Sequence, residues 1–113
     1  MATETPSELG TSSPSPATWT EVYAVPDVAG NYAVTSLVTV CNLGTSLDYF
    51  HLAVVTHSAG TPTNQQYKAY NVPVLPGVPY LLRIALTPGR NKAITAYAKK
   101  GLLAFSVQGV QNV

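Results

Sequence analysis

The chain has 113 residues, of which 46% are apolar and only 10% charged, and its formal net charge is +1. This length fits one domain, and the near-zero charge gives no support for a role in nucleic-acid or membrane binding. No apolar run approaches the ~18 residues that span a bilayer, no signal peptide is expected at the start, and the single cysteine, Cys41, excludes a disulfide within the chain.

Residues 1–18 are predicted to form an extended Ser/Pro-rich arm. The segment contains three prolines and two large apolar side chains: Pro6, Pro14, Pro16, Met1 and Leu9. A stretch of this composition cannot bury a face of its own, and in a polyproline-like form ~16 residues reach about 50 Å. We expect the arm to contact a neighbouring chain, with packing on its own domain as the alternative.

Residues 19–113 are predicted to form an all-β domain, a single antiparallel sandwich or jelly roll of about seven to eight strands. Short segments in which apolar and polar residues alternate are separated by turns rich in Gly, Pro and Asn. The predicted strands cover residues 21–25, 32–41, 47–56, 67–74, 80–86, 92–98 and 102–108. Pro73 favours a sheet edge or a strand end for residues 67–74, because proline cannot donate to a ladder.

Alternation along these strands predicts which side chains form the core. The inward-facing set is Val34, Leu37 or Val38, Val40, Phe50, Leu52, Val54, Leu82, Ile84, Ile94, Phe105 and Val107. Residues 47–56 then carry His51 on the face opposite Phe50 and Leu52. Because burying one such side chain contributes ~1.5–3 kcal/mol, these residues account for the fold without a ligand.

Residues suited to catalysis or metal binding are scarce. His51 and His57, the only histidines, lie in or near one strand and about 20 Å apart along it, too far to share a metal ion. There is no Gly-x-Ser-x-Gly elbow and no phosphate-binding glycine loop, and Cys41 lies in an apolar strand where a thiolate is disfavoured. We predict no catalytic residue, no metal and no cofactor, and therefore no enzyme.

Seven tyrosines and one tryptophan accompany only two phenylalanines. Tyr and Trp are favoured at protein interfaces, because each combines apolar area with one polar atom. The low charge indicates a surface covered by neighbouring chains, although a neutral exposed sheet is the alternative. A carbohydrate or receptor-binding module, which would use residues 58–65 and exposed tyrosines, is the alternative function of a different class.

Five segments, residues 21–26, 33–44, 49–54, 67–73 and 104–109, resemble small β-sandwich structural proteins of tailed bacteriophages. The order and spacing of the segments carry the resemblance, which runs from about Glu21 to Gln111. It implies a virion protein, often a homo-oligomer, on the capsid exterior or in the neck and tail. No catalytic residue carries over, since such proteins work by contact.

The resemblance and the arm together predict a capsid decoration (cement) protein located in the virion and assembled in the host cytoplasm. A neck or tail accessory protein is the alternative within the same class. The expected partners are further copies of the chain, with a trimer favoured, and the major capsid protein or neck and tail proteins, but neither nucleic acid nor a membrane. The predicted contact residues lie in the arm and the basic turns: Pro6, Leu9, Pro14, Pro16, Trp19, Arg90, Lys99 and Lys100.

Overall fold

The computed structural model describes residues 4–58 and 61–112, and of residues 4–7 only the backbone. It confirms the all-β prediction. The strands are β1 (Glu4–Ser12), β2 (Thr20–Ala24), β3 (Tyr32–Asn42), β4 (Asp48–Thr56), β5 (Tyr67–Val74), β6 (Tyr80–Leu82), β7 (Lys92–Ala98) and β8 (Leu103–Asn112). A single short 3₁₀ turn in the described ranges, Asn64–Gln66, precedes β5.

Two antiparallel sheets of four strands form a sandwich. The first sheet has the order β1-β8-β3-β6 and the second the order β2-β7-β4-β5. Four of the strand pairs are nested in sequence, β4 with β5, β3 with β6, β2 with β7 and β1 with β8. The chain is therefore one long antiparallel ribbon wound into two layers, and the pairs β3–β8 and β4–β7 join successive turns of the ribbon.

The core lies between the two sheets. Phe50 and Leu52 are fully buried and Val54 packs against the same cluster, which confirms the predicted alternation of β4. Every buried side-chain nitrogen or oxygen in the described residues has a hydrogen-bond partner. β5 lies at the edge of the second sheet, as Pro73 predicts.

The prediction that Val34 faces the core is wrong. Its side chain is 37% exposed, whereas Ala33 and Thr35 are buried. The register between β3 and β8 shifts between Thr35 and Leu37, and a β-bulge of this kind changes which alternate positions face inward. Beyond the bulge Val38 is fully buried, which decides between the two predicted alternatives.

Two strands end more than one residue away from their predicted ends. β6 stops at Leu82, because the Thr35 hydroxyl enters the ladder, donating to the Ile84 carbonyl at 2.7 Å and accepting from the Leu86 N–H at 2.8 Å. β8 continues through Gly109 to Asn112. A Cβ at Gly109 would lie 2.2 Å from the Val34 carbonyl oxygen, so this glycine permits a close approach of two strands and does not end one.

The structure adds a strand, β1, within the predicted arm. Glu4–Ser12 pairs antiparallel with β8 and forms an edge of the first sheet. Gly10 allows this course, because a Cβ there would lie 2.1 Å from the Val22 carbonyl oxygen in β2. Residues 1–3 of the arm lie outside the described residues. The expectation that residues 1–18 contact another chain concerns an assembly and stays a prediction.

Candidate interaction surfaces

Five aromatic rings gather on the outer face of the second sheet. We call Trp19, His51, Tyr67, Tyr70 and Tyr97 the aromatic cluster. The His51 ring lies between those of Tyr70 and Tyr97, with centroids 4.4 and 4.8 Å away and interplanar angles of 9° and 20°. Trp19 and Tyr67 flank this stack, with centroids 5.9 and 5.8 Å from that of His51. The cluster joins β4, β5, β7 and the residue before β2.

A β-bulge in β5 brings two of the tyrosines together. Tyr67 and Tyr70 are three residues apart, a spacing that places side chains on opposite faces of a regular strand. The register between β4 and β5 shifts on both sides of Leu52, and Asn71 has a φ of 55° in the left-handed region. The shift between Leu52 and Ala53 inserts a residue between Tyr67 and Ala69, which turns Tyr70 onto the face of Tyr67, and their ring centroids lie 5.2 Å apart.

His51 supports the bulge as well as the ring stack. Its Nδ1 accepts a hydrogen bond from the Asn71 backbone N–H at 2.8 Å, an interaction that requires the imidazole to be unprotonated at that atom. Burial lowers the pKa of His51; a hydrogen bond with the Phe50 backbone opposes this shift, and the nearby Lys99 ammonium adds to it. The neutral ring is therefore the form that fits this surface.

Acidification is expected to destabilise the protein through His51. The pKa of this group is lower in the folded state than its ordinary value of 6.5. As the pH falls below 6.5, the unfolded chain binds the proton first, and the free energy of unfolding decreases until the folded pKa is passed. Urea denaturation at about pH 7.5 and about pH 5 measures this loss.

The variant His51→Phe keeps a ring in the stack and removes the titrating group. We expect it to lose less stability than the wild-type protein between the two pH values. His57→Asn alters the other imidazole and should leave the His51 contribution in place. Parallel stability curves for His51→Phe and the wild-type protein would contradict the assignment.

A recess beside the aromatic cluster combines an indole wall with polar groups. It has a volume of about 250 Å³ and is lined by Trp19, Glu21, Val55, Ser58 and Thr95. The Glu21 carboxylate is held by two contacts: Oε1 lies 2.7 Å from Nδ1 of His57, and Oε2 accepts the Ser58 N–H at 2.7 Å. The recess thus presents a fixed acceptor beside an aromatic ring.

A larger cleft of about 510 Å³ opens at the edge of the sandwich, between the sheets. Its lining includes the apolar side chains of Val54 and Ile84 and the cations Lys68, Arg90 and Lys92. Lys92 donates to the Thr56 hydroxyl at 3.0 Å and Arg90 pairs with an aspartate, so two of these cations already have partners within the chain.

The predicted contact residues of the arm are largely used within the chain. Pro14 is buried, Leu9 packs against the core, and Trp19 belongs to the aromatic cluster. Pro16 is exposed. The backbone of Pro6 pairs with β8, and its side chain lies outside the described residues.

The predicted basic contact residues divide between the two ends of β7. Arg90 precedes β7, and its Nε donates to Asp27 at 2.6 Å, with both side chains more than half exposed. Lys99 and Lys100 follow β7 and are exposed, and Pro16 lies against Gly101 in the same turn. The structure therefore brings Pro16, Lys99 and Lys100 together and places Arg90 elsewhere. That these residues contact another chain stays a prediction.

Asp48 has a structural role that the sequence analysis missed. It is fully buried, and Oδ1 accepts the backbone N–H groups of Tyr49 and Lys100, both at 2.8 Å. Its Oδ2 accepts the Leu102 N–H at 3.1 Å. One carboxylate thereby fixes the turn between β7 and β8 that displays Lys99 and Lys100.

In the described ranges, 4–58 and 61–112, no group of three metal-ligating side chains comes together. The same residues include no helix long and apolar enough to cross a membrane. The two histidines lie apart: His51 is in the aromatic cluster and His57 is paired with Glu21.

No protein-family model matches the chain, and no curated protein matches it. Among solved structures, the chain is similar to the crystal structure of a pentameric capsid protein isolated from metagenomic phage sequences, with a TM-score of 0.40 and 15% identity. The match covers 96% of this chain and 59% of that one, so this chain spans about three fifths of its length. The likeness is too distant to assign a fold or a function.

Proposed function

We propose that this chain is a structural protein of a phage particle that works by contact and has no catalytic activity. The nested strand order is the observation that carries the proposal. An eight-stranded ribbon wound into two four-stranded sheets matches the jelly roll, an arrangement that viral capsid proteins use. The resemblance of residues 21–111 to small phage structural proteins supports the same function. Within it we propose a capsid decoration protein on the particle exterior.

We propose β1 as the element that joins the chain to a neighbouring copy. β1 is an edge strand, and Leu9 is the one described side chain in it that packs against the core. Residues 13–19, which connect it to β2, contain two prolines and include Ala17 at a φ of 52°. An edge strand on such a linker can pair with β8 of its own chain or of another, which is the route to a strand-exchanged homo-oligomer.

Deleting residues 1–16 tests the role of the segment in attachment. The deletion removes the pairing of β1 with β8 and the contact of Leu9 with the core. The pairing of β4 with β7 in the second sheet remains. We expect a folded domain, verified by circular dichroism, whose occupancy on particles lacking the native protein falls about tenfold or more. Leu81→Ala, in β6 at the opposite edge of the first sheet from β1, is the control and should keep normal occupancy. Normal occupancy by the truncated chain would contradict the proposal.

Strand exchange has a separate test that does not depend on truncation. Glu8 and Gln108 are directly opposed in β1 and β8, and both are exposed. The variant Glu8→Cys/Gln108→Cys/Cys41→Ser places one cysteine in each strand and removes the native one. If β1 pairs with β8 of another chain, mild oxidation should give covalently linked multimers, because the two introduced cysteines face each other within disulfide range. Monomers alone on a denaturing gel, with the disulfide inside each chain, would show that β1 stays with its own sheet.

A further inference from the structure

We propose that the aromatic cluster and the recess beside Trp19 form a binding site for a neutral oligosaccharide. This function goes beyond the structural role and uses a different face from β1. The cluster lies on the outer face of the second sheet, whereas β1 lies in the first.

The exposed part of the cluster has the chemistry that sugars require. Tyr70, in the edge strand β5, is 67% exposed although its ring stacks on His51 and lies 5.2 Å from that of Tyr67. Among the described residues, Tyr23 has the only tyrosine hydroxyl that makes a hydrogen bond within the chain. The hydroxyls of Tyr67, Tyr70 and Tyr97 can therefore form hydrogen bonds with a ligand. A pyranose ring places its C–H face on an aromatic ring and directs its hydroxyls to such polar groups.

The surface is assembled by specific backbone features. Two register shifts in β5 place Tyr70 on the face of the cluster, and His51 accepts a hydrogen bond from the Asn71 N–H at the second of them. Next to the stack, Glu21 is fixed by His57 and Ser58 and supplies an oriented acceptor within the recess. A few oriented polar groups beside aromatic walls are the usual composition of a small-ligand site.

The absence of charged side chains in the aromatic cluster favours a neutral ligand. The cluster contains no charged side chain at neutral pH, and the Lys99 ammonium lies over the ring of Tyr49, 5.7 Å from its centroid and outside the cluster. A nucleic acid requires cations along its phosphates, and the described side chains of this face do not provide a row of them. A second copy cannot readily extend the sheet here, because the bulge and Pro73 interrupt the β5 edge. A neutral sugar fits both conditions.

Trp19 is the only tryptophan of the chain and lies within the site, so its fluorescence reports binding directly. The full-length protein is titrated with maltohexaose, cellohexaose and the hexamer of N-acetylglucosamine, and with a heparin hexasaccharide as the anionic comparison. We expect a saturable change with at least one neutral hexamer, with a Kd between about 10 μM and about 1 mM, and none with heparin.

Tyr70→Ala should weaken that binding about tenfold or more, because it removes the exposed ring while leaving the Trp19 reporter in place. Tyr32→Ala is the matched control, since Tyr32 is an exposed tyrosine of the first sheet, outside the site. This variant should bind the sugar as the wild-type protein does.

No saturable response to any neutral hexamer, a response to heparin alone, or equal weakening by both variants would overturn the proposal. So would a change of oligomeric state in Tyr70→Ala without a sugar response, which would identify a second copy as the occupant. Each result is independent of particle occupancy.

Discussion

Asp48→Ala is expected to lower the free energy of unfolding by about 3 kcal/mol, because the buried carboxylate accepts three backbone N–H groups. Hydrogen bonds to a charged group contribute about 1.5–3 kcal/mol each, and water that reaches the freed turn recovers part of the loss. Urea denaturation monitored by circular dichroism measures the change. The turn that carries Lys99 and Lys100 should become mobile, which hydrogen exchange at Lys100 and Leu102 would report.

Two variants separate the role of this carboxylate from that of charge in general. Asp48→Asn keeps the shape and one acceptor, so its loss of stability should be smaller than that of Asp48→Ala. Asp27→Ala removes an exposed carboxylate that pairs with Arg90, and an exposed pair is worth at most about 1 kcal/mol. Equal effects of Asp48→Ala and Asp27→Ala would show that the buried contacts do not hold the turn.

Strands whose signals are local could be predicted from the sequence with their bounds. Residues 67–74 and 92–98 are β5 and β7, since each contains residues of high strand propensity and is bounded by turn residues. β1 could not be predicted in this way. Its Ser, Thr and Pro residues show no apolar alternation, and its extended form in the sheet comes from pairing with β8, about 100 residues away in sequence.

The β-bulges explain why side-chain directions were predicted only in part. Alternation assigns faces correctly along β4, which places His51 outward, but it fails wherever one residue is inserted. The bulge in β3 turns Val34 to solvent, and the bulge in β5 turns Tyr70 onto the cluster. Asn71, a residue type that tolerates positive φ, is the one local signal of irregularity in β5.

The aromatic cluster depends on the nested strand order and could not be assembled from the sequence alone. The abundance of tyrosine predicts an interface or a sugar-binding face without showing which rings meet. His51 and Tyr97 become neighbours because β4 pairs with β7, and Trp19 joins them because β2 lies on the other side of β7. Asp48 was missed for the same reason: the N–H groups of Lys100 and Leu102 reach it only when the turn after β7 folds over the start of β4.

Phe50→Ala is expected to lower the free energy of unfolding by about 4 kcal/mol, within the range for truncating a buried phenylalanine. Phe50 is fully buried in β4, and its ring meets Phe105 edge to face at 5.6 Å and Tyr80 at 5.7 Å, both in the opposite sheet. The side chain therefore joins the two layers, and its removal leaves a cavity between them. Urea denaturation measures the loss, with Leu81→Ala, which truncates a side chain that is 54% exposed, as a control expected to change stability by less than about 0.5 kcal/mol.

A double-mutant cycle with Phe105→Ala tests whether the two rings act as a pair across the sandwich. If they do, the double variant should lose less stability than the two single variants together, by about 1 kcal/mol, because the edge-to-face contact can be lost only once. Strict additivity would mean that each ring contributes through burial alone. A loss for Phe50→Ala no larger than that for Leu81→Ala would contradict the placement of Phe50 between the sheets, and with it the winding that aligns β4 in one sheet against β8 in the other.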